Sequence, residues 1–552
     1  MKSLNIVAFM CLLPLIICAQ TENWVYRYNG PANGYTDGAN AIIYGADGNI
    51  YAAGRSYGTT FNDDFFVVSL TAAGDTNWTY RYNGSADQND EAYAIVYGDD
   101  GNIYVAGNTR WSGASSDFTV ICLDTDGLVR WIYHYDGPGN GADEAFDLVY
   151  GADGNVYVAG VTTHNGSGKD FIVISFNAQD GDTNWTYRYN GPGNGSDEAN
   201  AIVYGDDGDI YAAGYSYDVT SDFIVISLRD NGLVRWINRY DGPVHDTEEA
   251  FDITYGADGN IYAAGYSYST GYDFFVVRYD SEGDTNWTYR YNTPDSVENY
   301  ARAITYGADG NVYAAGDGEG DWTDCILISL NPAIGDTNWT YRYDGPAHQG
   351  DEFYSVVYGN DGNIYAAGRS TGMGTSSDFI VITLTSPDNV DWIYRYNGPD
   401  NSGDRGYAIC YGDDGNVYGA GYSTGSETSL DFTVVSLCAV GIEENDTHAA
   451  PAFTLLQNTP NPFREKTEIR FCVGRSAYGE LRIYDITGKL VRSFDPDGLR
   501  TKGQFDYKTI RLSDHVIWDG TDDTGKKLTS GVYFCRLSTE ASSATRKLIF
   551  LE

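Results

Sequence analysis

Five pairs of adjacent carboxylates recur along this 552-residue chain: Asp90-Glu91, Asp143-Glu144, Asp197-Glu198, Glu248-Glu249 and Asp351-Glu352. Oxygens from several such pairs, brought together, could hold Ca²⁺, which takes many oxygen ligands. Two carboxylates facing each other across a cleft could instead serve as acid and base on a glycosidic bond. The pattern breaks in three places, which read Asp37-Gly38, Glu298-Asn299 and Asp404-Arg405. A structural role is open to the same groups, as acceptors for backbone N–H bonds or as partners of recurrent arginines such as Arg81 and Arg188. A second set of residues lies in polar loops: Tyr57, Trp111, His164, Tyr217, Tyr268, Trp322 and Met373. Tyr and Trp combine a flat apolar face with a hydrogen-bonding tip, which suits stacking on sugar rings.

These residues sit in a repeat. Trp24, Trp78, Trp131, Trp185, Trp236, Trp287, Trp339 and Trp392 are separated by 54, 53, 54, 51, 51, 52 and 53 residues. A fixed period of this length means one supersecondary unit copied many times. The second copy shows its parts. Ala92–Tyr97 and Ile103–Ala106 read as strands around the turn Gly98-Asp-Asp-Gly-Asn102, with Gly107 as a strand end. A polar loop, Asn108–Ser116, precedes a third strand, Phe118–Leu123, and Trp131–Tyr135 is the fourth. Four short strands rich in β-branched and aromatic residues per repeat predict a propeller blade. The chain opens with a lone fourth strand, Trp24–Tyr28, and its eighth repeat stops after Phe432–Leu437. Pairing those two segments would close eight blades with no free edge. The fold class predicted is all-β: an eight-bladed β-propeller followed by a small Ig-like β-sandwich.

The run Gly74-Asp-Thr-Asn-Trp78-Thr-Tyr80, with Val67–Leu70 before it and Asp100-Gly-Asn-Ile-Tyr104 in the next hairpin, resembles bacterial β-propeller repeats. Its Gly-x-x-x-Trp spacing is similar to the tryptophan-docking repeats of eight-bladed quinoprotein propellers. The resemblance implies that each Trp wedges between blades, a structural role. It covers residues 24–437 and speaks to fold far more than to function.

Beyond an acidic linker at 439–452 the vocabulary changes. Pro460-Asn-Pro-Phe463, Leu481-Arg-Ile-Tyr-Asp485, Thr487-Gly-Lys489, Trp518-Asp-Gly520, Ser530-Gly-Val-Tyr-Phe534 and a terminal Arg546–Glu552 follow in order. Alternating apolar positions between Gly and Asp turns predict a β-sandwich over 453–552. This block resembles the type A C-terminal sorting domain of the type IX secretion system. That resemblance implies export across the outer membrane and makes the secretion machinery a partner. Glu552 departs from the basic residue common at that end.

Residues 1–19 read as a signal peptide, with Lys2, an apolar Ile6–Cys18 and cleavage before Gln20. Cys18 could be a lipidation site, but Ile17 stands where a small residue is expected. The rest divides into a propeller at 20–438, the linker and the tail. No later stretch is long enough to span a membrane. Net charge is −43, and Lys169 is the single lysine between Gln20 and Ala450. That field repels nucleic acids and anionic membranes. Cys410 with Cys438, or Cys472 with Cys535, could form disulfides. His-Glu-x-x-His is absent from the sequence.

The turns within a repeat are nearly constant, whereas the second-to-third-strand loops and the blade-to-blade loops vary. In an up-and-down blade both variable classes emerge on one face, where recognition is usually placed. The expectation is a secreted or surface-displayed binding protein whose loop face meets a glycan, peptide or surface component. The alternatives are an extracellular polysaccharide hydrolase or lyase using channel-mouth carboxylates, and, more remotely, a quinoprotein dehydrogenase. No cofactor is established by these residues; calcium is the candidate ion.

Overall fold

A computed structural model describes residues 22–551 except 33, 112–114, 167, 293–297, 319–321, 388, 427, 439–452, 456–460, 462, 465, 474–479, 495–512 and 539–542. The segments read as signal peptide and linker therefore lie outside the described residues. Every regular element described is a β-strand. No described helix is long and apolar enough to cross a membrane. The chain divides into two compact units at 439/440.

The first unit is the propeller: eight four-stranded antiparallel sheets, each built from consecutive strands except the last. Blade two runs Glu91–Tyr97, Ile103–Thr109, Asp117–Leu123 and Val129–Tyr135, from the inner strand to the outer. The inner strand of each blade packs against those of both neighbours around a closed ring. The middle two strands are buried almost throughout, because both of their faces meet adjacent blades. Their sequences are accordingly continuous apolar runs, whereas inner and outer strands are half-buried.

One expectation needs correcting. The second strand continues past Gly107 to Thr109. A Cβ on Gly107 would lie 2.1 Å from the Glu91 carbonyl oxygen. Glycine is therefore needed inside the ladder, where the inner strand is bulged between Ala92 and Ala94 and presses close. The loop that follows is shorter as a result.

The hairpin turns hold their own carboxylates. Asp100 accepts bonds from the Asn102 amide N–H at 3.1 Å, the Asn102 side chain at 2.8 Å and the Tyr104 hydroxyl at 2.6 Å. The Tyr104 ring is fully buried. The same Asp–Tyr latch is present in all eight blades, from Asp47–Tyr51 to Asp414–Tyr418. These aspartates are latches for the buried tyrosine hydroxyls.

The tryptophans join one blade to the next. The Trp78 ring packs on Gly127, whose φ is +79°, in the third-to-fourth-strand turn of the following blade. Its indole N–H donates to the Thr125 carbonyl at 2.7 Å. Trp24, Trp131, Trp185, Trp236 and Trp287 repeat the arrangement on Ala72, Ala178, Asp230, Ser281 and Pro332. Trp392 differs. It is buried, and its indole N–H has no hydrogen-bond partner.

That difference follows from closure. The strand Glu22–Tyr28 completes blade eight, pairing Trp24 with Ser436 through Tyr28 with Phe432. Strands three and four of this blade come from opposite ends of the propeller sequence, so no hairpin turn exists for Trp392 to cap. Glu22 accepts instead from the Tyr394 hydroxyl of blade seven at 2.8 Å.

The second unit is the β-sandwich. One sheet orders Phe453–Leu455, Thr467–Val473 and Ser513–Trp518; the other orders Leu490–Phe494, Glu480–Asp485, Gly531–Ser538 and Ser543–Phe550. Phe463, Trp518, Tyr533 and Phe550 lie in its core. Asn461 binds the final strand twice, donating to the Lys547 carbonyl at 3.0 Å and accepting from the Ile549 N–H at 2.8 Å. Cys410, Cys438 and Cys535 are buried thiols outside any disulfide, so neither pairing raised from the sequence forms.

Deleting Glu22–Tyr28 is expected to lower the melting temperature sharply and to cause aggregation, because it bares the edge of Leu430–Cys438. An unchanged melting curve and a monomeric elution profile would contradict closure by this strand.

Candidate functional site

The first carboxylate of each pair is a knot within the loop face. Asp90 is fully buried. It accepts from the Gly84 N–H at 2.6 Å in its blade-to-blade loop and from the Arg110 N–H at 2.7 Å at the end of its second strand. Its own N–H donates to the Asp63 carbonyl of the preceding blade at 2.8 Å. Asp143, Asp197 and Asp351 bond in the same way. So do Asp37 and Asp404 of the interrupted pairs. Glu248 occupies the position in blade five and accepts from the Ser267 hydroxyl at 3.0 Å. Burial, only partly offset by these bonds, pushes Asp90 up to about 6 and Glu248 up to about 7.

The second residue of each pair belongs to a tier around the channel mouth. Glu91 meets Arg55 at 3.4 Å and Asn40 at 2.9 Å. Glu144 accepts from Ser116 at 3.0 Å, and Glu198 meets Lys169 at 3.4 Å. Glu249 accepts from Asn200 at 3.0 Å and Tyr266 at 3.1 Å. Glu352 is held by Arg369 and Tyr354. Blades two to five thus contribute an acidic arc. Blades six to eight contribute Arg302, Arg369 and Arg405 with Tyr300, Tyr354, Tyr407 and Tyr422.

Deeper along the inner strands lie Asp147 and Asp252. Each accepts from its own blade and from the next: Asp147 from Leu148 at 2.8 Å and Ile202 at 2.9 Å, and Asp252 from Ile253 and Ile304 at 2.8 Å. Desolvation pushes Asp147 up to about 7 and Asp252 up to about 6. The charge of Asp252 adds to the effect on Asp147.

Three clusters place carboxylate oxygens of three residues within 4.8 Å of one another: Asp117, Asp136 and Asp143; Asp222, Asp241 and Glu248; Asp324, Asp344 and Asp351. These are the described groups best arranged to hold a cation. Arg239 and Arg342 from the outer strands bind Asp222 and Asp324 in the second and third clusters. At the first, the same strand position is His134, which burial pushes down to about 4, leaving it neutral at pH 7. Of the paired residues, Asp143, Glu248 and Asp351 enter these clusters. Glu91, Glu144, Glu198, Glu249 and Glu352 belong to the channel tier instead.

The loop aromatics pack locally. Tyr57 stacks on Tyr35 at 4.2 Å, Trp111 on His134 at 4.5 Å, and Tyr268 meets Tyr272 edge-on at 5.3 Å. His164 contacts the Asn165 carbonyl at 3.2 Å. Tyr217, Trp322 and Met373 are exposed. None of the ring contacts among the described residues joins two of these positions. The channel tier brings together more chemistry than the loop tips do. The inner-strand columns containing Arg302, Arg405 and Tyr354 would have revealed it, had alternate residues been compared down the repeats.

The family described as outer membrane protein assembly factor BamB matches residues 63–271. No curated protein matches the chain. Among solved structures the fold is similar to that of PorZ, a surface component of the type-IX secretion system of Porphyromonas gingivalis, at 14% identity over 92% of this chain and 73% of that one, TM-score 0.42. It is also similar to quinohemoprotein alcohol dehydrogenase from Comamonas testosteroni, at 10% identity over 80% of each chain, TM-score 0.48. Saccharomyces cerevisiae Sqt1 is similar at 7% identity over 81% of this chain and 96% of that one, TM-score 0.44. These likenesses concern the fold alone.

A pH dependence follows from the buried carboxyls. Their folded values lie above their unfolded ones, so the folded state keeps protons that the unfolded chain releases. Their contribution is fully present below the ordinary carboxyl values of 3.8 and 4.5 and is lost as pH rises through about 7. Within its window each carboxyl supplies a slope of up to ~1.4 kcal/mol per pH unit. Melting temperatures measured from pH 4.5 to 7.5 should fall, and Asp147→Asn with Asp252→Asn should flatten the decline. An unaltered slope in the double variant would refute this account.

Proposed function

We propose that this protein is a binding protein of the cell exterior whose propeller loop face and channel mouth recognise an extracellular ligand. The observation that carries the reading is the asymmetry of the two faces. On one face every first-to-second-strand turn is closed by the same Asp–Tyr latch. On the other, loops that differ in every blade are held by buried carboxylate knots around a tier of mixed charge. A rigid scaffold presenting variable loops is the physical form of a recognition surface.

The paired carboxylates favour binding over hydrolysis. The first member of each pair is committed to backbone donors, and the second is held by neighbouring side chains in the channel tier. Tyr57, Trp111, His164, Tyr217, Tyr268 and Trp322 are assigned to the rim of the recognition face.

Export is part of the same proposal. Residues 1–19 act as the signal peptide, 20–438 as the recognition propeller, 439–452 as the linker and 453–552 as a type IX sorting domain. The two-way grip of Asn461 on the final strand supports a functional unit at that end, since the Pro-Asn-Pro-Phe motif and the terminal strand are used together.

Two experiments test these readings. A glycan array probed with the full chain should show binding to a restricted set of extracellular polysaccharides, weakened several-fold by Trp322→Ala; an array without specific signal would count against the reading. Truncation after Ala452 should leave a folded propeller that is no longer displayed in a type IX-competent host. Normal display of the truncated chain would remove the sorting assignment.

A further inference from the structure

Arg405 is the cation of the channel tier that has no carboxylate partner. Arg55 meets Glu91, Lys169 meets Glu198, Arg302 meets Asp317 and Arg369 meets Glu352. Among the described residues Arg405 makes no ion pair. Its Nη1 has one long contact, to the Tyr407 hydroxyl at 3.5 Å, and its Nε is buried without a hydrogen-bond partner. Around it stand three tyrosine rings: Tyr354 at 5.8 Å, Tyr422 at 5.9 Å and Tyr407 at 6.0 Å from the guanidinium carbon. The rings brace one another, with Tyr354–Tyr407 centroids 5.4 Å apart and Tyr407–Tyr422 centroids 5.7 Å apart. Arg369, which pairs with Glu352, is near enough to act on Arg405 electrostatically.

Arg27, Arg239 and Arg278 also carry a buried Nε–H without a partner, but Arg27 and Arg239 pair with Asp431 and Asp222 and Arg278 bonds the Ala333 carbonyl, whereas Arg405 has neither a carboxylate nor a carbonyl partner among the described residues. Acidic side chains are abundant, yet the fold places aromatic rings beside this one. An unmade bond of this kind is costly, and the half-buried side chain leaves the rest of the fork open to a ligand. The planar fork of an arginine matches a carboxylate bidentately. The tyrosine faces offer apolar area for the C–H face of a sugar ring. The facing arc of Glu91, Glu144, Glu198 and Glu249 can accept bonds from sugar hydroxyls. One carboxylate on a hydroxyl-rich ring satisfies all three requirements.

We propose that the tyrosine cage of Arg405 at the channel mouth binds the carboxylate of an acidic sugar, a uronate residue of an extracellular polysaccharide. This rests on the binding-protein reading above and specifies its ligand chemistry.

The test is titration calorimetry of the full chain with trigalacturonate, its methyl ester and acetate. Trigalacturonate should bind and the methyl ester should bind at least tenfold more weakly. Acetate alone should bind far more weakly still, which separates a sugar acid from a free carboxylate. Arg405→Gln should reduce trigalacturonate affinity at least tenfold. Arg405→Lys, which keeps the charge and loses the fork, should recover only part of it. Melting curves of both variants identify any loss that comes from misfolding, and Tyr422→Leu provides a second variant that leaves Arg405 in place and should also weaken binding. Equal affinity for the acid and its ester, or for the wild type and Arg405→Gln, would overturn the proposal. So would absence of trigalacturonate binding; specific array signal on neutral glycans in that case would leave the broader binding reading standing.

Discussion

The ring depends on an indole set against a glycine. Each docking tryptophan lies on the outer strand of one blade and reaches the turn of the next. Glycine is needed in that turn for two reasons at once: a positive φ closes the turn, and a missing Cβ leaves room for the ring. The indole N–H then satisfies a turn carbonyl that would otherwise face solvent at the blade seam. Inter-blade contact is thereby fixed in both distance and rotation. Sheets that are individually marginal become one structure, because each buries its apolar faces only against its neighbours.

This constraint explains what the sequence made legible. The Trp period, the Gly four residues before Trp and the Asp-Gly turns are all requirements of stacking, so they recur in nearly every copy. Strand order, blade number and closure by Trp24–Tyr28 could be read from them. The end of the second strand could not. Gly107 reads as a terminator by composition, but it is an accommodation for a bulge in the neighbouring strand, a tertiary fact with no local signature. The Cys410–Cys438 pairing failed for a similar reason: sharing a blade does not bring two thiols face to face.

The candidate site was legible in part. The acidic pairs were visible because they repeat, yet repetition marked a shared structural task for the first member. Asp90 and its equivalents hold loops, and their regularity is that of a fastening. The distinctive residues are those that break the pattern. Arg405 stands where five other blades carry Glu, and that departure from the column is where the channel acquires a cation with no carboxylate partner among the described residues. In a repeat protein the scaffold speaks through conformity between copies and the site through exceptions to it.

The joint between blades seven and eight has a mechanical consequence. The strand Leu430–Cys438 is the last of the propeller, and it lies between Asn416–Thr424 and Glu22–Tyr28. A pull along that strand from its C-terminal end would load two ladders in shear, with all their hydrogen bonds sharing the force. At the adjoining seam Trp392 has no turn to lock. Under tension along its exit strand the ring therefore resists through two ladders at once, whereas the seam between blades seven and eight lacks the indole-to-turn bond made by Trp24, Trp78, Trp131, Trp185, Trp236 and Trp287.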